Sequence, residues 1–348
     1  MKLKLFIFLF ITTVLIISCK NTSIPRTIEK ITIEEITIDS SSIRAIYPMK
    51  DSSLFYATSD GYLGLMLPTN QNIKDKKVFY DTIVPHFRAI ASNSENIFML
   101  SIGNPALLYK YDEGDLEIVY SENHPKVFYD AMAFFDEKNG IAMGDPTEDC
   151  LSVILTNDGG KSWQKLPCDV LPKINEGEAA FAASNSNIAI QGKNVWLVTG
   201  GKSARVFHSS DMGKSWKAYK TPIIQGDQMT GIYSVDFYDA KNGIIFGGDW
   251  NNKDNNKGNK AVTKDGGKTW QLVSEGLEPG YKSCVQYVPD TNGQELFAVG
   301  TTGVSFSNDG GVTWKKVSND AYYTIRFVNK NFAWLAGNNK IGKMILNK

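Results

Sequence analysis

The chain has 348 residues, 42% of them hydrophobic and 11% aromatic, with 37 basic side chains against 37 acidic ones. That is ample for a packed core, and a closed all-β unit can take up the whole length without a domain boundary. Balanced charge excludes the basic excess that draws a protein to nucleic acid or to an anionic membrane surface. Four cysteines (Cys19, Cys150, Cys168, Cys284) and three histidines (His86, His124, His208) without paired short spacings exclude a zinc site, and no cofactor motif is present.

Lys2 and Lys4 precede an apolar run from Leu5 to Ile17, the pattern of a secretory leader and too short to span a bilayer. The run ends in Ile16-Ile17-Ser18-Cys19, which resembles the bacterial lipoprotein cleavage box. The resemblance implies a signal peptide over residues 1–18 and acylation of Cys19, with a flexible tether through residue 30. Acyl chains on Cys19 would be the only membrane attachment. Lys20 replaces the aspartate that retains many such proteins in the inner membrane. The outer membrane of a Gram-negative cell is the implied location.

The next signal is internal repetition. Thr156-Asn157-Asp158-Gly159-Gly160-Lys161-Ser162-Trp163 aligns without gaps with residues 209–216, 263–270 and 307–314. The common positions are Asp158, Gly160 and Trp163; Asp211, Gly213 and Trp216; Asp265, Gly267 and Trp270; and Asp309, Gly311 and Trp314. The aspartates are 53, 54 and 44 residues apart, close to one propeller blade. An aspartate at a tight turn accepts backbone N–H bonds, glycine supplies a positive φ, and the indole folds over the hairpin. The predicted role is structural.

These segments resemble the Asp-box, or BNR, repeat of sialidases, sortilin-type receptors and the photosystem II stability/assembly factor family. That family is also resembled by strand copies such as Asn194-Val195-Trp196-Leu197-Val198-Thr199-Gly200. The implied fold is a single all-β, seven-bladed propeller over residues 31–348, with first strands starting near Ile43, Phe87, Tyr129, Phe181, Tyr233, Ser283 and Tyr323. Blades one, two and seven lack the Asp-box. The last has room for only three strands, so the segment from Ile31 to Ile38 is predicted to pair with it and close the ring.

Long connections at 144–150, 168–178, 221–231 and 247–260 fall on the rim opposite the Asp-boxes, where a scaffold carries function. Asp145, Asp249 and Trp250 lie on them, and Arg44, Arg88 and Arg326 on the first strands of neighbouring blades one, two and seven. An arginine cluster at the channel mouth suits a carboxylate, phosphate or acidic peptide. The bland alternative pairs each arginine with a carboxylate such as Asp130 or Asp236. Cys150 and Cys168 are equidistant from Gly159 and can meet across the hairpin as a disulfide, leaving Cys284 as a buried thiol.

The leading expectation is a monomeric, non-catalytic binding or assembly module of the cell envelope whose partner is a protein or glycan. The alternative is an envelope glycoside hydrolase of sialidase or xyloglucanase type, with Asp145 and Asp249 as an acid–base pair. Phe87-Arg88-Ala89-Ile90 resembles the sialidase arginine motif only loosely, and no catalytic residue can be assigned by motif.

Overall fold

A computed structural model describes residues 24–346. Among them there are 29 strands and no helix. The strands form seven four-stranded antiparallel units, two of which share one long strand and so appear as a seven-stranded sheet, and the short strands Glu178–Ala179 and Gly200–Gly201 extend a third unit into a six-stranded one. The innermost strands are Thr32–Pro48, His86–Ser92, Tyr129–Phe134, Ile188–Gln191, Thr230–Phe237, Cys284–Tyr287 and Thr324–Asn329. Each touches the next around the axis, and the last touches the first, so the ring is closed.

Second strands such as Ile97–Ile102 and Leu296–Gly300 are buried almost throughout, because neighbouring blades cover both faces. That is why they read as unbroken apolar runs rather than as alternating ones. The outermost strand Asp115–Glu122 lies at the perimeter and is exposed or half-buried throughout. The small residues that end second strands have a steric cause. A Cβ on Gly144 would run into the Phe128 carbonyl, and one on Gly247 into the Gly231 carbonyl.

Closure follows the predicted pairing. Thr32 through Thr37 stand opposite Ile345 through Lys340 of the last blade, and the same strand then passes to blade 1, where Ile46 faces Tyr56. Two expectations need correction. Blade 4 does not begin its inner strand near Phe181; that strand is Ile188–Gln191, while residues 181–187 leave the sheet for the axis. Nor is the segment before Ile31 a free tether from Arg26 onward. Arg26 Nε and Nη2 both donate to Glu295 Oε2 (2.8 and 2.6 Å) and Arg26 Nη1 donates to Asn331 Oδ1, while Ile28 packs on the core between blades 6 and 7. Cys19 and the rest of the implied leader lie outside the described residues.

The four repeat hairpins are built alike. Asp211 accepts bonds from Ser209 Oγ, the N–H groups of Lys214 and Ser215, and Ser215 Oγ, and the Trp216 indole donates to the Gly213 carbonyl at 2.8 Å. Burial alone would raise the Asp211 pKa, but the bonds from Ser215 and Ser209 outweigh it and hold it at about 2. Asp158, Asp265 and Asp309 are held the same way. Trp163 differs, with its indole N–H unpartnered and its ring set against Phe98 and Phe134. In each hairpin one N–H, as in Gly159 to the Lys138 carbonyl and Gly266 to the Lys241 carbonyl, ties it to the first turn of its own blade. Those turns and the hairpins therefore share one face, the hairpin face, and the long connections occupy the other, the loop face.

Candidate functional site

The channel at the axis is filled by residues 182–186, and every other blade reaches them. Arg44 Nη1 of blade 1 donates to the Ala183 carbonyl at 2.7 Å, and Arg88 Nη1 of blade 2 to the Ala182 carbonyl at 2.8 Å. The Asn185 amide donates to the Ile90 carbonyl of blade 2 at 2.7 Å and accepts the Met132 N–H of blade 3 at 2.8 Å. Val235 N–H of blade 5 donates to the Ser186 carbonyl, and Ser184 Oγ donates to the Ser283 carbonyl of blade 6. Arg326 Nη2 of blade 7 forks over the carbonyls of Ser184 (2.8 Å) and Asn185 (2.9 Å). Carbonyls drawn out of a sheet need other donors, and guanidinium groups supply them in a fixed plane.

The arginines therefore do not form one cluster. They meet successive carbonyls of the plug and are staggered in depth. Arg44 and Arg88 stand toward the loop face. Arg326 stands toward the hairpin face, its Nη1 shared among Cys284 Sγ, Thr324 Oγ1 and the Ile325 carbonyl. Among the described residues none of the three is within 4 Å of a carboxylate. Asp236 instead accepts the N–H groups of Phe237 and Tyr287. Both oxygens of the fully buried Asp130 lack a partner, and burial, reinforced by Asp145, raises its pKa well above the usual range.

Toward the loop face the arginines adjoin a largely buried aromatic cluster. Burial and the neighbouring Arg44 push the Arg88 pKa down to about 10. Burial, then Arg88 and Arg44, push His86 down to about 4, and its neutral Nε2 accepts from Arg88 Nε at 2.9 Å. The Arg44 guanidinium lies 3.7 Å from the Tyr323 ring centre. Phe181 stacks on Tyr233 at 3.9 Å, and Tyr281 meets Tyr233 and Trp250 edge-on at 4.7 and 5.3 Å. Trp250 packs on this cluster from the 250–259 connection.

Asp145 and Asp249 lie on this face too, but each already serves the backbone. Asp145 Oδ1 accepts the Ala180 N–H at 2.8 Å, with its pKa raised to about 6 by burial, and Asp249 Oδ1 accepts the Asn251 N–H. Neither lines the central cavity of about 480 Å³, which opens on the hairpin face beside Arg326, Asp236 and Gln286. The nearest carboxylate neighbours are Asp130 and Asp145, both largely buried and each raising the cost of ionising the pair.

Large apolar side chains surface on the loop face as well. Phe79 and Leu277 are 58% and 64% exposed, and Tyr80, Ile83, Val84 and Val170 lie on the same side. The connections carrying them are braced. Cys150 and Cys168 are bonded, with Cα atoms 5.5 Å apart, and Glu178, its side chain fully buried, receives Arg205 in a fork and Thr199 Oγ1 at 2.6 Å. Cys284 is a buried free thiol. The plug, the Glu178–Arg205 pair and the aromatic ring were not read from the sequence. The available signal was the run of small residues from Ala179 to Asn187, which lacks strand alternation.

No family model matches the chain, and no curated protein does. Solved structures do. YCF48 bound to a D1 peptide is similar over 92% of this chain and all of its own, at TM-score 0.65 and 13% identity. A catalytically inactive virginiamycin B lyase from Staphylococcus aureus with quinupristin gives 0.67 and 11%, over 91% of this chain and all of that one. The RRP9 WD40 repeats give 0.66 and 12%, over 92% and 100%. At these identities the likeness is one of fold: the chain is a β-propeller.

Proposed function

We propose that this chain is a non-catalytic binding module of Asp-box type, tethered to the cell envelope through Cys19, that receives an acidic segment of a polypeptide partner at its loop-face mouth. One observation carries the reading. Arg44 and Arg88 are bonded to the plug and half-buried, yet among the described residues neither has a carboxylate within 4 Å, the buried Asp130 acting on Arg88 only at longer range. A partner carboxylate would complete them with charge-assisted bonds. The exposed Phe79, Tyr80 and Leu277 are apolar side chains of the kind that anchor protein interfaces. The structural likeness to YCF48, solved with a peptide, supports a polypeptide partner.

Orientation supports the same reading. The described chain begins at the hairpin face, where the Asn308 side chain donates to the Arg26 carbonyl. Six residues separate Cys19 from Arg26, seven steps along the chain and a reach of at most about 25 Å. An acyl anchor on Cys19 therefore draws the hairpin face to the bilayer and leaves the loop face free. The test is capture from cross-linked envelopes. Arg44→Gln with Arg88→Gln should lower partner yield about tenfold, and Arg44→Lys with Arg88→Lys should keep most of it. Equal yield from the glutamine variant and the parent would refute the reading.

A further inference from the structure

On the hairpin face, between blades 4 and 5, lies an open groove of about 780 Å³ lined by Lys217, Lys241, Lys264 and Lys268. All four side chains are exposed, and among the described residues none of their ammonium groups has an ion-pair partner. On the loop face two lysines are paired, Lys173 with Asp149 and Lys202 with Glu176. The one carboxylate lining the groove, Asp265, is engaged by its own hairpin through Thr263, Lys268 N–H and Thr269. Burial first, then Lys268 and Lys217, hold the His208 imidazole below its ordinary pKa, with Asp211 acting the other way.

Two further features select the kind of anion. Trp216 and Tyr219 stand in the same groove, and rings with one polar tip settle where apolar and aqueous phases meet. The chain also enters on this face. Arg26 is pinned beside Asn308 and Asn331, and Ile24 before it is 91% exposed, so a tether would leave from the same face as the groove. We infer that the groove between blades 4 and 5 seats on the anionic headgroups of a phospholipid bilayer, its four lysines meeting headgroup phosphates. The inference rests on the tethered reading above and deepens it: the acyl chains hold the protein at the membrane, and the groove sets which face lies against it. Lysines next to an anionic surface add favourable energy that falls off within a Debye length.

The experiment is lysine acetylation footprinting of the mature acylated protein in nanodiscs. Phosphatidylglycerol discs should slow labelling of Lys217, Lys241, Lys264 and Lys268 about fivefold relative to phosphatidylcholine discs, with the effect gone in 0.5 M salt. Lys173 and Lys253 should label equally in both. Equal labelling of the four lysines in the two discs overturns the inference. So does equal protection by 10 mM inorganic phosphate without lipid, which would mark a free-anion site. The mass of the N-terminal peptide reports acylation of Cys19 separately. If Cys19 is unmodified the tether fails, and the same footprint with phosphatidylglycerol vesicles added to the chain decides the groove.

Discussion

Arg326 and Ser184 belong to blades on opposite sides of the axis, yet the Arg326 guanidinium donates to the Ser184 carbonyl across the channel at 2.8 Å. The same segment is reached by all six other blades, so residues 182–186 act as a central pin where many propellers keep an open channel. The pin also explains why the arginines of the inner strands carry no carboxylates. Their positive charge is directed at carbonyl dipoles, and at the mouth it remains available to a ligand.

The pin predicts a large effect from a side chain that sequence alone would class as a loop residue. Asn185→Ala removes the bonds to Ile90 and Met132 and leaves both backbone groups buried without partners. It also places alanine at a φ of 56°. The expected loss is about 3 kcal/mol, read by denaturant unfolding. A loss below about 1 kcal/mol would show that the blades hold without the pin.

His86 gives a pH signature. Its folded pKa of about 4 lies below the ordinary 6.5, so the unfolded chain binds the proton more readily between those values. The contribution of His86 is therefore complete above about pH 6.5 and declines as pH falls toward 4. Asp145 and Asp236, both raised to about 6, act oppositely in the same window, since their stabilising protonation is lost as pH rises from about 4 through 6. The His86 effect is isolated by difference. The melting-temperature gap between parent and His86→Gln should widen in favour of the parent from pH 4.5 to 7.

Glu295 anchors the entry of the chain, accepting three bonds from Arg26 while only 3% of its side chain is exposed. Removing one partner of a buried pair costs about 3–5 kcal/mol when the other stays buried. Here Arg26 can swing into water, so the expected outcome of Glu295→Ala is release of the first described residues rather than global unfolding. Limited trypsin digestion should then cut after Arg26 and Lys30 at least tenfold faster, with the blades intact.

Much of the fold was legible because its determinants repeat. The turn chemistry of Asp158 and its three copies, and the orphan strand at Thr32, are local patterns with a fixed period. The pin was not legible, because its hydrogen bonds join residues such as Arg326 and Ser184, 142 positions apart, and no local pattern marks a carbonyl that will lack a strand partner. For the same reason the grouping of Arg326 with Arg44 and Arg88 failed: sequence places a residue on a strand but does not fix its depth in the channel. Net charge carries no local information: a balance of 37 against 37 coexists with a groove lined by four lysines and Asp265.

The central claim is a division of labour between faces, with the partner on the loop face and the membrane on the hairpin face. Photo-cross-linking in intact envelopes tests it most directly, with a photoreactive side chain placed at Phe79 or, separately, at Lys161. The account predicts a discrete polypeptide adduct from position 79 and none from 161; a polypeptide adduct from 161 with none from 79 would contradict it.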